Sequence, residues 1–277
     1  MEAAKEVFLQ AFSSVDREDD YEEIVKEPVG GVPGAFLLRN VMTSAKCNEI
    51  CMGLRSVIKM TIRERQGTTK VGDDGGNDIK DRRKSQHHTP VHADAAHVAP
   101  LGSIIRQFLP GVAGPKNTAT LAPPGYEVSG FLRLYDYEEG EFSTPHFDKS
   151  FTQHDKKTGR LLSFSAYSML VYLNEDFDGG TTTFFQLADD SPALQSKKGN
   201  TPERLMTLSK EVGSISVVPK TGDILIFPHG RMTGCHTDPL HEGSVVQKGR
   251  KSIVRTDVVF YPKEKRSKGK DGGKKQN

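Results

Sequence analysis

The spacing of apolar residues changes from helical to strand-like part-way along the chain. Residues 1–30 are charged and helical in tendency, ending in Pro28-Val-Gly-Gly-Val-Pro33-Gly34, and the apolar run at 35–42 then reads as a strand. Thr43 or Ser44 can cap the helix that follows, along which Ile50, Leu54, Ile58 and Ile62 recur every four residues. Residues 66–92 are polar and form a loop too long for idle packing, so they read as disordered or as a flap over a site. A second amphipathic helix is expected over 99–109, closed by Pro110-Gly111. From Tyr126 onward short apolar runs rich in Val, Ile, Phe, Tyr and Thr alternate with turns. Strands are expected at 128–137, 163–173, 181–185, 215–218, 223–227 and 252–261, with turns at Gly179-Gly180 and 220–223 and a loop over 186–212. Six strands without long intervening helices predict a β-sandwich or barrel behind N-terminal helices, a mainly β arrangement of the α+β class.

At 277 residues the chain suits one domain with an N-terminal extension, and it is long enough to bury a sizeable core. The expected division is a support region at 1–124, a β core at 125–262 and a basic tail at 263–277. The formal charge of +2 conceals that tail, which holds seven Lys/Arg against two acids. Such a tail is usually solvated and disordered; the sharper reading is a nuclear-targeting or nucleic-acid-contacting arm. Cys47, Cys51 and Cys235 are too few for a disulfide framework and fit a reducing compartment, and the four-residue spacing of the first two fits core packing. The first ten residues carry acids where a signal peptide needs an apolar run, and no membrane-length apolar stretch follows, so an intracellular, cytoplasmic or nuclear protein without a membrane segment is expected. Oligomeric state leaves no mark on the sequence.

Candidate chemistry begins at Phe142-Ser-Thr-Pro-His146-Phe-Asp148. In extended chain, residues two apart point to the same face, so His146 and Asp148 can reach one point together. Joined by a distant second imidazole they would make the two-histidine, one-carboxylate face that suits non-haem Fe(II). A lone His-x-Asp is more often a surface turn. A second signal follows in His241-Glu-Gly-Ser-Val-Val-Gln-Lys-Gly-Arg-Lys251-Ser-Ile-Val-Arg255: a histidine, a glycine-containing turn, then a strand bearing cations. The even interval between Lys251 and Arg255 lets both face inward, although a random pair of this kind is usually solvated. Tyr172 lies in a central strand, where a buried hydroxyl needs a partner.

These motifs occur in one order: Arg133-Leu-Tyr135-Asp-Tyr137, His146-Phe-Asp148, Tyr172-Leu-Asn174, Gly179-Gly180-Thr181, Pro219-Lys-Thr-Gly222-Asp223, His241-Glu-Gly243 and Gly249-Arg-Lys251. That order resembles the prolyl 4-hydroxylase-like branch of the Fe(II)/2-oxoglutarate-dependent dioxygenases over roughly 125–262, and the lead-in from Val32 resembles that family too. The resemblance implies a double-stranded β-helix (jelly-roll) core. It implies His146, Asp148 and His241 as iron ligands, and Lys251 and Tyr172 on the far carboxylate of 2-oxoglutarate. Tyr137 would touch the co-substrate or the substrate side. Arg255 is an alternative anchor, because other branches of the superfamily place an arginine near that later position.

The reaction it implies consumes O2 and 2-oxoglutarate, releases succinate and CO2, and hydroxylates a C–H bond, with ascorbate as reductant. The iron centre is the catalyst, and no separate acid or base is expected. A prolyl or other residue of a protein or peptide is the first substrate expected, and small molecules are also modified in the family. A nucleic-acid-demethylating oxygenase and a non-catalytic jelly-roll binding module are the alternatives. His229 and His236 are rival ligands that lack the following Gly-x-Lys strand. His87, His88, His92 and His97 read as loop histidines without structural-zinc spacing.

Overall fold

The computed structural model describes residues 1–14, 23–68, 88–109, 112–114, 118–121, 125–188, 191, 200–233 and 238–262. The basic tail, most of the 66–92 segment, Cys235, His236 and His87 lie outside the described residues. Helices α1 (Glu2–Ser13), α2 (Ser44–Thr68) and α3 (Ala95–Arg106) flank the N-terminal strands β1 (Val25–Pro28), β2 (Phe36–Arg39) and β3 (Thr89–His92). A short ribbon, β4 (Val112–Gly114) with β5 (Thr118–Leu121), precedes β6 (Tyr126–Val128), β7 (Phe131–Tyr137), β8 (Ser143–His146), β9 (Thr152–His154) and β10 (Leu161–Tyr172). Then come β11 (Phe177–Gly179), β12 (Thr182–Phe185), helix α4 (Pro202–Glu211), β13 (Ser214–Val217) and β14 (Ile224–Pro228). A one-turn helix α5 (Gly230–Thr233) leads into β15 (Leu240–Gly243), β16 (Val246–Gly249) and β17 (Lys251–Phe260).

The strands form two antiparallel layers. The larger runs β1-β2-β14-β10-β17-β7-β3, with β6 and β9 joined to its edges, and the smaller runs β13-β12-β15-β8. This is the double-stranded β-helix, mainly β with helices at the N-terminus. The central strands explain their own composition. Leu170 and Tyr172 of β10 and Leu225 and Phe227 of β14 face the smaller sheet, where Phe184 and Val217 meet them. The alternate residues, Met169, Val171, Ile224 and Ile226, face Phe8, Phe12, Leu54 and Ile105 of the helices. A sheet covered on both faces needs apolar residues at successive positions rather than at every second one. Among the described residues no helix is long and apolar enough to cross a membrane.

Several expected boundaries move, each for a local reason. On α2, Thr43 Oγ1 accepts from the Lys46 amide at 3.1 Å and caps the helix. Cys47, Ile50, Cys51, Leu54 and Val57 are buried, but Ile62 is exposed. Steps of four residues gain about 40° per step on a 3.6-residue helix, so a strict four-residue series walks off its face. The strand expected at 128–137 is two, broken where the Ser129 amide turns to the Asp257 carbonyl and the Gly130 carbonyl accepts from Ala93. Part of the polar 66–92 segment is β3, which pairs with β7 and buries Thr89 and Val91. The loop expected at 186–212 contains α4, which Thr201 caps by accepting from the Arg204 amide at 3.3 Å. It was masked by polarity, since Leu205 is its one buried side chain.

The turn into β14 ties the layers to the N-terminal lead-in. Gly222 has φ +85°, its amide donates to the Tyr172 carbonyl, and its own carbonyl accepts from Val41 and Met42. A Cβ there would lie 2.1 Å from the Met42 carbonyl oxygen. Gly222→Ala is therefore expected to cost roughly 2 kcal/mol or more, since both the left-handed backbone and the contact oppose it. Urea unfolding with an unchanged midpoint would contradict this.

Candidate metal centre

Strand pairing brings the two distant histidines together. In the smaller sheet β15 lies between β12 and β8, and in that register His241 is opposite both His146 and Phe184. The His146 and His241 ring centroids are 4.4 Å apart. Asp148, two residues past the end of β8, closes the group: its oxygens lie 3.4 Å from His146 Nε2 and 3.8 Å from His241 Nε2. One ligand atom from each of the three residues falls within 4.8 Å of the others.

The same local device orients both rings. His146 Nδ1 contacts the Thr144 carbonyl at 2.7 Å and His241 Nδ1 contacts the Pro239 carbonyl at 3.1 Å, in each case two residues upstream. A carbonyl only accepts, so Nδ1 carries the proton and Nε2 keeps its lone pair facing the other ligands. Burial first, then the neighbouring His146, push His241 down to about 3, so this imidazole is neutral across the physiological range. Burial would also depress His146, but Asp148 outweighs it and raises that ring. Asp148 is buried, which alone would favour its neutral form; Arg255 above all, then His241 and His146, hold it well below the usual carboxylate range. The Ser168 hydroxyl donates to Asp148 Oδ2 at 2.5 Å and Arg255 Nη2 lies 2.6 Å from Oδ1. Two oriented imidazole lone pairs and one ionised carboxylate are a donor set that fits a divalent metal of the first transition row.

A cavity runs inward from the triad between the sheets, lined by Tyr135, Tyr137, Thr182, Glu242, Lys251 and Arg255 among others. Lys251 and Arg255 thus both face inward, at different depths. Lys251 is 3% exposed, and its Nζ donates to the Gly180 carbonyl at 2.6 Å, with the Tyr137 and Tyr172 ring centroids 5.7 and 5.8 Å away. Gly180 has φ +60°, and a Cβ there would press on the Phe177 ring and the Lys251 stem. No carboxylate pairs with Lys251 among the described residues, and burial pushes its amine down to about 7. Arg255 sits at the triad itself.

Tyr172 is fully buried, but its hydroxyl is 2.8 Å from Thr182 Oγ1, and Thr182 rather than Tyr172 lines the cavity. His229 is buried away from the triad, 3.4 Å from Asp257 Oδ1 and 3.5 Å from Ser168 Oγ. His88 lies beside the Tyr135 ring and His92 beside Phe131, while His97 is on α3. Sequence reasoning missed Tyr135, Ser168, Thr182 and Glu242. Tyr135 was legible, being two before Tyr137 on one strand, and so was Ser168, a polar residue on the inward face of an apolar strand. Thr182 and Glu242 carry no such mark.

Residues 132–261 match the family model described as the 2OG-Fe(II) oxygenase superfamily. No curated protein matches the chain. Among solved structures, the chain is similar to the viral collagen prolyl hydroxylase of Paramecium Bursaria Chlorella virus-1 in its 2OG complex, at 15% identity and a TM-score of 0.43, over 83% of this chain and 97% of that one. A Pseudomonas putida prolyl-4-hydroxylase matches at 15% identity and a TM-score of 0.34, over 83% and 87%. The carbocyclase SnoK from nogalamycin biosynthesis matches at 10% identity and a TM-score of 0.44, over 83% of each chain. At these scores none of the three decides a substrate.

The buried amine has a cost that depends on pH. A folded value near 7 against an unfolded value near 10.5 means the unfolded chain binds more protons between them, so stability rises with pH across that window and the penalty is complete below it. Lys251→Met is expected to stabilise the metal-free protein by on the order of 3 kcal/mol at pH 6 and by much less at pH 10. Urea unfolding at the two pH values checks this; equal or lower stability of the variant at pH 6 would contradict it.

Proposed function

We propose that this chain, a member of the 2OG-Fe(II) oxygenase superfamily through residues 132–261, is an Fe(II)- and 2-oxoglutarate-dependent hydroxylase. The observation that carries the reading is the triad, with two imidazole Nε2 atoms and an ionised carboxylate converging at the mouth of a cavity that has a buried amine inside it. His146, Asp148 and His241 would hold the metal. With three protein ligands, a bound metal would keep positions open for a chelating co-substrate and O2. The chemistry that bound iron supplies is the coupling of 2-oxoglutarate decarboxylation, to succinate and CO2, with transfer of oxygen to a C–H bond. Ascorbate would serve as reductant.

The chain's own residues orient and select. Lys251 would take the far carboxylate of 2-oxoglutarate, with Tyr137 beside it and Tyr172 acting through Thr182. That carboxylate lies roughly 4–5 Å beyond the chelating end, across three C–C bonds. Arg255, 2.6 Å from a metal-binding carboxylate, stands at the wrong end for it, which favours Lys251 as the anchor. The apolar walls given by Leu170 and Ile253 keep the inner end dry, which strengthens the ion pair. The motif order supports a prolyl or other residue of a protein or peptide as the substrate.

Purified protein given Fe(II), ascorbate and 2-oxoglutarate is expected to release succinate, slowly without prime substrate and faster with it. His146→Ala or Asp148→Ala should abolish iron-dependent release, and unimpaired turnover in either variant would remove that residue from the ligand set. Lys251→Ala is expected to raise the KM for 2-oxoglutarate by about 100-fold, as loss of a buried charge-assisted contact should, and Arg255→Ala to raise it far less. The reverse ranking would move the anchor to Arg255.

A further inference from the structure

The outer side of the triad has a chemistry the co-substrate does not use. A second cavity, of about 410 Å³, opens outward from His146 and Asp148 and is walled by Arg133, Lys149, Arg255, His88, Tyr135 and Phe147 among others. Three of its lining residues are permanent cations and one, Asp148, is a carboxylate. On the oxygenase reading, the metal's two charges and that of Lys251 are met by Asp148 and the two carboxylates of 2-oxoglutarate. Arg133 is answered by Asp257, which lies 3.0 Å away and is 1% exposed. Glu242 lines the inner cavity, not the outer one, and accepts from the Ser244 hydroxyl.

Arg255 and Lys149 remain. Arg255 is paired with Asp148, whose charge a bound metal would share, and hydrogen-bonded to the Tyr135 hydroxyl, while its Nε is buried with no hydrogen-bond partner among the described residues. Lys149 is exposed, and among the described residues it forms no ion pair. A guanidinium and an ammonium on one wall, next to the reacting position and in excess over acids, recognise an anion and repel a cation. We infer that the substrate presents an anionic group, a carboxylate in the first instance, beside the carbon to be oxidised, and that Arg255 and Lys149 bind it. This rests on the oxygenase reading and adds the substrate's chemistry to it. The carboxylate has two sources: an acidic side chain flanking the modified residue of a peptide, or the free carboxylate of a small acid.

Competition binding to the full chain loaded with Fe(II) and 2-oxoglutarate under argon separates these. One arm uses capped peptides Ala-Ala-Pro-X-Ala-Ala with X as Asp, Asn or Lys; the other uses free proline against prolinamide. The Asp peptide is expected to bind roughly tenfold tighter than the Lys peptide at low salt, with the ratio shrinking toward one at high salt. Lys149→Glu should invert the order of the two, a charge swap that a merely structural role for Lys149 would not produce. Preference for proline over prolinamide, with the peptides indistinguishable, assigns the carboxylate to a small acid instead. If no probe carrying a carboxylate binds better than the matching amide, the inference falls. The oxygenase reading has its own readout in the same cuvette: visible absorption on adding 2-oxoglutarate to the Fe(II) protein, whose absence would sink that reading whatever the probes do.

Discussion

The site depends on one register, that of β15 against β8 and β12. With His241 opposite His146 on one side and Phe184 on the other, both imidazoles emerge on the inner face of the smaller sheet. Because side chains alternate faces, a slip of one residue would turn His241 outward and leave His146 and Asp148 without a third partner. The carbonyl two residues before each histidine then sets its tautomer, so each strand carries its own orienting contact. Ring position comes from the sheet, and the direction of the lone pair from the local backbone.

Around that pairing the fold tolerates groups that oppose folding. Asp148 is compensated from several directions, by Ser168, Arg255 and the histidines, and stays ionised at little cost. Lys251 is different: a buried amine with a carbonyl partner and two aromatic rings has no counter-charge of its own. A group so placed gains most from an anion supplied from outside. The three N-terminal helices make this affordable. They seal the outer face of the larger sheet with Phe8, Phe12, Leu54 and Ile105, so the inner face can give up apolar contact at the end where the triad lies.

The charges at this end are divided by depth. Lys251 stands inside, between the sheets, and Arg255 at the triad, although both belong to β17 and sit four residues apart. One strand thus carries one cation deep between the sheets and another against Asp148, beside both cavities. On the proposed function, that division would let the inner wall serve a co-substrate and the outer one a substrate.

Much of this was written locally and could be read locally. The ordered motifs, the even spacing of Lys251 and Arg255, the cap at Thr43 and the two-sided apolar strands follow from periodicity and residue chemistry, which act over a few residues. Periodicity pointed to the mainly β class with N-terminal helices, while the residues proposed to hold metal and co-substrate came from the resemblance that the ordered motifs carry. The polar helix α4 escaped because it buries almost nothing, and β3 because its partner β7 lies some forty residues on. What only the tertiary structure decided is distance between residues far apart in sequence. It set Arg255 against Asp148 rather than beside Lys251, put Thr182 between Tyr172 and the cavity, and gathered Arg133, Lys149 and Arg255 on one wall. Contacts of that kind are set by the register and twist of packed sheets, which no local stretch of sequence encodes.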